Sequence, residues 1–257
     1  MTDYIKIEDL SFSYEKRRIY NNFSLTIPSN RITFIMGNNG CGKTTLLKLM
    51  CGIMKPQKGN IFFGEYNLGG LSVNGIAKKI AYVPQTVRLG SEMSVKDYLI
   101  LGRTPYIAFG RSPSKNDYSI VEQYAQKMNV EDMFDISFNE LSGGQKQLVA
   151  VTRALIQETP YIIMDEPMSA LDFSNQSMIL KVVSSLARDN KTIVLTSHNP
   201  NHALAVESEV CLIDKNKNII QGTANEILSN QENITNTFGE RVAYQNSASG
   251  GSISFSI

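Results

Sequence analysis

Apolar and polar positions alternate with a period of two along YIKIEDLSFSY (residues 4–14) and NNFSLTIPSN (21–30), before any helical pattern appears. That period predicts half-buried strands, and two in succession predict an antiparallel edge. RITFIMG (31–37) is different. Its apolar run is nearly unbroken, as in a strand buried on both faces, and it leads into a glycine-rich loop and then the helical pattern KTTLLKLMCGI, stopped near Gly52 and Pro56. IAYVPQ (80–85) reads as another strand, and from about Val95 to Leu141 the pattern becomes helix-like. Strands return as YIIMDEP, KTIVLTSH and EVCLIDKN, alternating with the helical patterns QKQLVAVTRALIQ and NQSMILKVVSSLARD. Such alternation predicts a mainly parallel sheet covered by helices, hence an α/β fold. The expected division is a core from residues 1–90 and 155–244, an inserted helical subdomain at 91–154, and a flexible tail at 245–257 whose serines and glycines suggest loose order.

Charge and cysteine content enter by exclusion. Lysine plus arginine number 25 against 24 acids, so no general basic field is available to hold nucleic acid. Cys41, Cys51 and Cys211 lack CxxC spacing, which predicts neither a disulfide framework nor a zinc site and fits a cytosolic compartment. The first residues show no basic segment followed by an apolar core, and no later apolar run is long enough to cross a bilayer. A membrane role therefore requires another protein as anchor.

Candidate chemistry begins at Gly37-Asn38-Asn39-Gly40-Cys41-Gly42-Lys43-Thr44, which matches GxxxxGK[ST]. Glycines at these spacings let backbone N–H groups curl around phosphates, Lys43 adds a cation, and the Thr44 hydroxyl suits Mg²⁺. The bare pattern arises by chance in about one chain of this length in a hundred, and its seat between a strand and a helix makes chance rarer still. By itself it says only nucleoside triphosphate. A second anion-binding surface is predicted where Leu141-Ser142-Gly143-Gly144-Gln145 opens a helix, although a capped helix start would look similar.

With this string the chain resembles the ATP-binding cassette (ABC) family, whose signature motif it matches, and the resemblance runs over nearly the whole length. It implies a P-loop NTPase with a RecA-like core and a site for Mg-ATP spanning Tyr14, which would stack on adenine, and the loop from Gly37 to Thr45. YIIMDEP resembles the Walker B strand: Asp165 would hold Mg²⁺ through water and Glu166 would polarise the attacking water. Gln85 resembles the glutamine that touches Mg²⁺ and water, Ser169-Ala170-Leu171-Asp172 the D-loop that crosses to another subunit, and His198 the switch histidine on the γ-phosphate. Asn38, Cys41, Met168 and Asn199 depart from the common residues, and Asn199 is expected to loosen the orientation of His198.

The family pattern also implies partners. Signature and phosphate loop of one chain would face apart, so a second copy must complete each site. GRTPY (102–106), HNPNHAL and the ANEILSNQENITNTFGERVAY segment resemble importer ATPases that serve iron-siderophore, haem, cobalamin or metal oxyanions. That implies a peripheral position on the cytoplasmic face of the membrane, polytopic permease subunits and, indirectly, an extracytoplasmic substrate-binding protein. A soluble cassette ATPase of the iron-sulfur assembly type remains the alternative. Two expectations concern single residues. Tyr98, Leu101, Tyr106 and Phe109 are expected mostly to pack the core of the helical subdomain, and Cys41, between two loop glycines and beside Lys43, is expected to be a reactive thiol.

Overall fold

Alternation builds the first layer. Along β1 (Tyr4–Tyr14) Ile5 and Ile7 are buried and, after a bulge at Asp9 with φ +50°, so are Leu10 and Phe12. β1 pairs antiparallel with β2 (Arg17–Pro28) and, on its other side, with β3 (Lys58–Phe63), which continues to the short β4 (Tyr66–Asn67). The computed structural model describes residues 4–90, 92–214, 217–239, 242–247 and 250–255.

The second layer is a six-stranded sheet built round the strand Ile32–Gly37, here β5. Beside β5 runs β6 (Thr192–Thr196), then β7 (Tyr161–Met164) and β8 (Ile80–Val83), all parallel. On the other side lie β9 (Ser208–Ile213), parallel to β5, and β10 (Ile219–Thr223), antiparallel at the edge. Both faces of the parallel strands are covered, which explains their unbroken apolar sequences. Phe34, Met36, Ile162, Met164, Leu195 and Leu212 face one core, whereas Ile35, Ile163, Val194 and Cys211 face the other, which is shared with the antiparallel sheet.

The first helix, α1 (Lys43–Met50), lies in that second core with Leu46, Leu47, Leu49 and Met50 fully buried. Each such side chain contributes about 1.5–3 kcal/mol relative to exposure. The loop before α1 is thus held between a buried strand and a buried helix. α2 (Val73–Ala77) follows on the antiparallel side.

Residues 95–141 form α3 (Val95–Ile100) and α4 (Lys115–Lys127), with a 3-10 turn at Leu101–Tyr106 between them and two more at Glu131–Met133 and Phe138–Glu140 leading to α5 (Gly143–Ile156). α4 starts on a capping box from Ser114 and Asp117. A buried guanidinium ties this region together: Arg103 meets Asp117 at 3.0 Å, Glu158 at 2.9 Å and the Ile156 carbonyl at 3.0 Å. Hydrogen bonds from Ser114, and secondarily from Arg103, hold the Asp117 carboxyl below the usual carboxylate range. Of the four residues expected to fill this region's core, only Tyr98 does so; Leu101, Tyr106 and Phe109 are exposed. Helical spacing misleads here because Leu101–Tyr106 is a 3-10 turn, whose three-residue repeat turns different positions outward.

The remaining helices are α6 (Phe173–Arg188), α7 (Asn201–Leu204), α8 (Ala224–Leu228) and α9 (Gln231–Phe238). The tail corrects the reading from composition. β11 (Val242–Ser247) and β12 (Gly250–Phe255) form an antiparallel hairpin whose Val242, Tyr244 and Ile253 pack on the first core. Ile253 is also clamped by Asn201, whose side chain accepts from its N–H at 2.7 Å and donates to its carbonyl at 3.0 Å. Average polarity hid an apolar face of period two.

Candidate functional site

A cleft of about 890 Å³ opens at the carboxyl end of β5, lined by the phosphate loop, Tyr14, Arg17, Gln85, Glu166 and His198. Its loop has little freedom. A Cβ on Gly37 would collide with the Ile213 carbonyl, so only glycine lets the chain leave β5 here. Lys43 Nζ donates to the carbonyls of Gly37 at 2.8 Å and Asn38 at 3.3 Å, and Lys217 donates to that of Cys41. Asn39, Gly40, Gly42, Thr44 and Thr45 also line the cleft. Tyr14 is exposed at its rim rather than in the core, with its hydroxyl 3.2 Å from Met54 Sδ and its ring edge-on to Phe12.

Opposite the loop, the acidic pair at the end of β7 is held by a residue the motifs did not single out. Thr196 Oγ1 donates to Asp165 Oδ1 at 2.7 Å and accepts from the Glu166 N–H at 2.8 Å. Asp165 is buried and its Oδ2 has no hydrogen-bond partner. Glu166 sits in the left-handed region with φ +47°, an unfavourable conformation for a non-glycine residue. Thr196 on its N–H, and the Ser169 N–H and Oγ on its carbonyl at 3.2 and 3.0 Å, hold it there. Glu166 Oε2 accepts from Gln85 Nε2 at 3.1 Å and lies 3.5 Å from His198 Nδ1. Three of the four residues expected to act in catalysis therefore meet at one carboxylate oxygen, in the cleft that the fourth, Lys43, lines.

The signature is elsewhere. Ser142 caps α5 in a box with Gln145, both residues bonding each other's backbone, and neither they nor Gly143, Gly144 or Asp172 line the cleft. Asp172 caps α6 by accepting from the Asn175 N–H at 2.8 Å. Gly144 has its own steric reason: a Cβ there would stand 2.9 Å from the Ala170 carbonyl, so the signature packs against the loop before α6.

One correction and two omissions follow. Cys41 is only 4% exposed, with its sulfur against Gly37, so the loop is wound too tightly for a reagent to enter and the expected reactive thiol is shielded. Cys211 is buried too, its thiol pushed up to about 12 by burial. Asn199 Oδ1 accepts from the Asn201 N–H at 3.0 Å, which ties the loop after His198 to the start of α7. Arg17 lies outside every motif, and Thr196 opens the TSH string of His198 but was given no role. The run KRR at 16–18 and the threonine two places before His198 were the available signals.

A model of the ABC transporter family matches residues 20–169, more than half of the chain and from β2 to the loop after the acidic pair. The chain belongs to the ABC transporter family. It is an ATPase of that family, and its fold of parallel sheet, antiparallel sheet and helices is the ABC fold. The molybdate import ATP-binding protein of Haemophilus influenzae is 32% identical over 240 residues, covering 93% of this chain and 89% of that protein. A solved ABC transporter of the metal-chelate type, in an inward-facing conformation, contains a chain 31% identical with TM-score 0.83, covering 99% of this chain and 97% of that one. An ATP-binding cassette solved as a dimer in a post-hydrolysis state with ADP and Pi is 25% identical with TM-score 0.76, over 86% of this ABC chain and 98% of its own. No helix among the described residues is long and apolar enough to cross a membrane.

Proposed function

We infer that two copies of this chain close head to tail over two Mg-ATP molecules, and that hydrolysis drives uptake of a metal chelate or metal oxyanion through separate membrane subunits. The observation that carries the reading is the convergence of Gln85 and His198 on one oxygen of Glu166, in the cleft lined by the phosphate loop.

The residues present fit Mg²⁺. An anionic oxygen buried without a partner, as Asp165 Oδ2 is, is costly until a cation meets it. Thr44 and Gln85 supply further oxygen donors suited to a hard ion, with water completing the shell. When bound, the ion neutralises charge on the β- and γ-phosphates. Lys43 then exchanges its loop carbonyls for phosphate oxygens, and Tyr14 offers its exposed face to adenine. Glu166 accepts a hydrogen of the attacking water. As the water oxygen bonds to the γ-phosphorus, the bond to the β–γ bridging oxygen breaks, leaving ADP and phosphate. His198 donates to the γ-phosphate. Ser142, Gly143, Gly144 and Gln145 would serve the γ-phosphate of the other copy, with the helix N-terminus adding a favourable dipole, and Asp172 would lie at the crossing.

Uptake rests on the importer-like GRTPY segment and on relatives named for molybdate import and the metal-chelate type. Leu101, Tyr106 and Phe109, all exposed in or beside that segment, suit an apolar partner such as a permease on the cytoplasmic face. Substrate choice would lie with that permease and its extracytoplasmic binding protein. Affinity purification from detergent-solubilised cells tests the reading: a polytopic membrane protein is expected to come down with the chain, and Phe109→Asp to reduce its recovery. Recovery only with soluble assembly factors would sink the importer reading in favour of a soluble cassette ATPase.

A further inference from the structure

The second histidine of the chain has no part in the chemistry above, yet it is the more buried of the two. His202, in α7, is 8% exposed and sits behind the loop that carries His198. Its Nδ1 lies 3.0 Å from Ser197 Oγ, and its Nε2 lies 3.2 Å from Gln176 Oε1 and 3.4 Å from Asn199 Nδ2. Gln176, on α6, has a fixed orientation, because its Nε2 donates to the carbonyls of Met168 at 3.2 Å and Leu171 at 2.9 Å. Its Oε1 is therefore the atom that faces the imidazole, and because it is nearer than Asn199 Nδ2 the proton is assigned to His202 Nε2. Burial, with the nearby His198 adding to it, lowers the pKa of the ring, and with the proton on Nε2 its Nδ1 can accept from Ser197 Oγ, whose hydroxyl also lies 3.2 Å from the Asn199 carbonyl. Ser197 Oγ in turn accepts from the Asn199 N–H at 3.0 Å, which closes the loop around His198.

One continuous path of hydrogen bonds thus runs from the backbone on either side of His198, through Ser197, His202 and Gln176, to two carbonyls of the loop Met168–Leu171. A cavity of about 60 Å³ lies between the two loops and is lined by Glu166, His198, Gln176 and His202. The loops on both sides of the Glu166 carboxylate are therefore joined at the back by two side chains. Apolar residues of the same size would fill this space without setting either loop.

We propose that His202 is a positioning residue for ATP hydrolysis: through Gln176 it locks the His198 loop to the loop Met168–Leu171, so that the two move as one body. The proposal rests on the reading of Glu166 and His198 given above. Because the loop Met168–Leu171 leads to Asp172 at the crossing between copies, the bridge also passes a shift at His198 toward the second nucleotide.

Steady-state ATPase kinetics on the purified chain test this. His202→Leu is expected to lower kcat roughly ten- to a hundredfold, the scale of a misplaced catalytic group, with KM for ATP within about twofold. His202→Gln, whose amide can donate to Gln176 and accept from Ser197, should recover most of the loss. Gln176→Leu should match His202→Leu, and the double variant should be no slower than either, since both remove one bridge. An unchanged kcat in His202→Leu, a loss that His202→Gln does not recover, or multiplied losses in the double variant would each overturn the bridge. If His202→Leu does not fold, Gln176→Leu decides alone, and a wild-type kcat there overturns it. A wild-type chain without ATPase activity would instead overturn the underlying reading of the site, and the bridge with it.

Discussion

Glu166→Gln is expected to lower ATP turnover by about two to four orders of magnitude, the contribution of a positioned general base, while ATP affinity stays within a few-fold. The substitution is close to isosteric. The new amide oxygen can still accept from Gln85, and the left-handed backbone is held by Thr196 and Ser169, which do not touch the side chain. Asp165 and Lys43 are also left as they are, so the groups assigned to Mg²⁺ and phosphate remain. What disappears is the carboxylate oxygen to which the proposed mechanism assigns the hydrogen of the attacking water. Phosphate release measured beside calorimetric ATP binding separates the two quantities. Turnover near the wild-type rate would show that the base lies elsewhere.

Ser142→Arg is expected to abolish ATP-driven dimerisation and leave ATP binding by the single chain within about twofold. Ser142 is exposed at the start of α5 and does not line the cleft of its own chain, so nothing in that cleft is disturbed. The bulky cation would instead stand where the other copy's nucleotide must come, at a helix end that already carries partial positive charge. Loss of the cap costs about 1 kcal/mol, small enough for the chain to stay folded. Size-exclusion chromatography in the Glu166→Gln background, with ATP and Mg²⁺, reads the outcome. A dimer that persists would mean that signature and phosphate loop do not share a site.

The phosphate loop, the signature and the acidic pair could be picked out because each is a contiguous string, and the structure seats the loop and Glu166 in one cleft with the signature elsewhere. The strands before the phosphate loop and the acidic pair were legible from their apolar runs, since the parallel sheet is covered on both faces. Less was readable where function depends on residues brought together by the fold. Nothing in the order Thr196, Asp165, Glu166 says that one hydroxyl serves both acids, and nothing in His202 or Gln176 says that they meet across 26 residues. Backbone conformation was equally hidden, for a glutamate at φ +47° is an exception that only its surroundings impose. The exposed Tyr106 and Phe109 were misjudged because an apolar residue reads the same whether its partner is its own core or another protein. In the tail from residue 245, serine and glycine content outweighed Ile253, which packs on the first core once β12 pairs with β11.

The central claim is that each nucleotide site is built from two copies of the chain, and a cross-link tests it most directly. Asn39 in the phosphate loop and Ser142 in the signature are both exposed, whereas the native Cys41, Cys51 and Cys211 are buried and will not compete. In the double variant Asn39→Cys, Ser142→Cys, mild oxidation with ATP and Mg²⁺ is expected to give a covalent dimer on a non-reducing gel, and neither single variant should give the same yield. The product should depend on ATP, because closure brings the loop of one copy to the signature of the other. A chain that stays monomeric under these conditions, or cross-links equally well without nucleotide, would contradict the shared site.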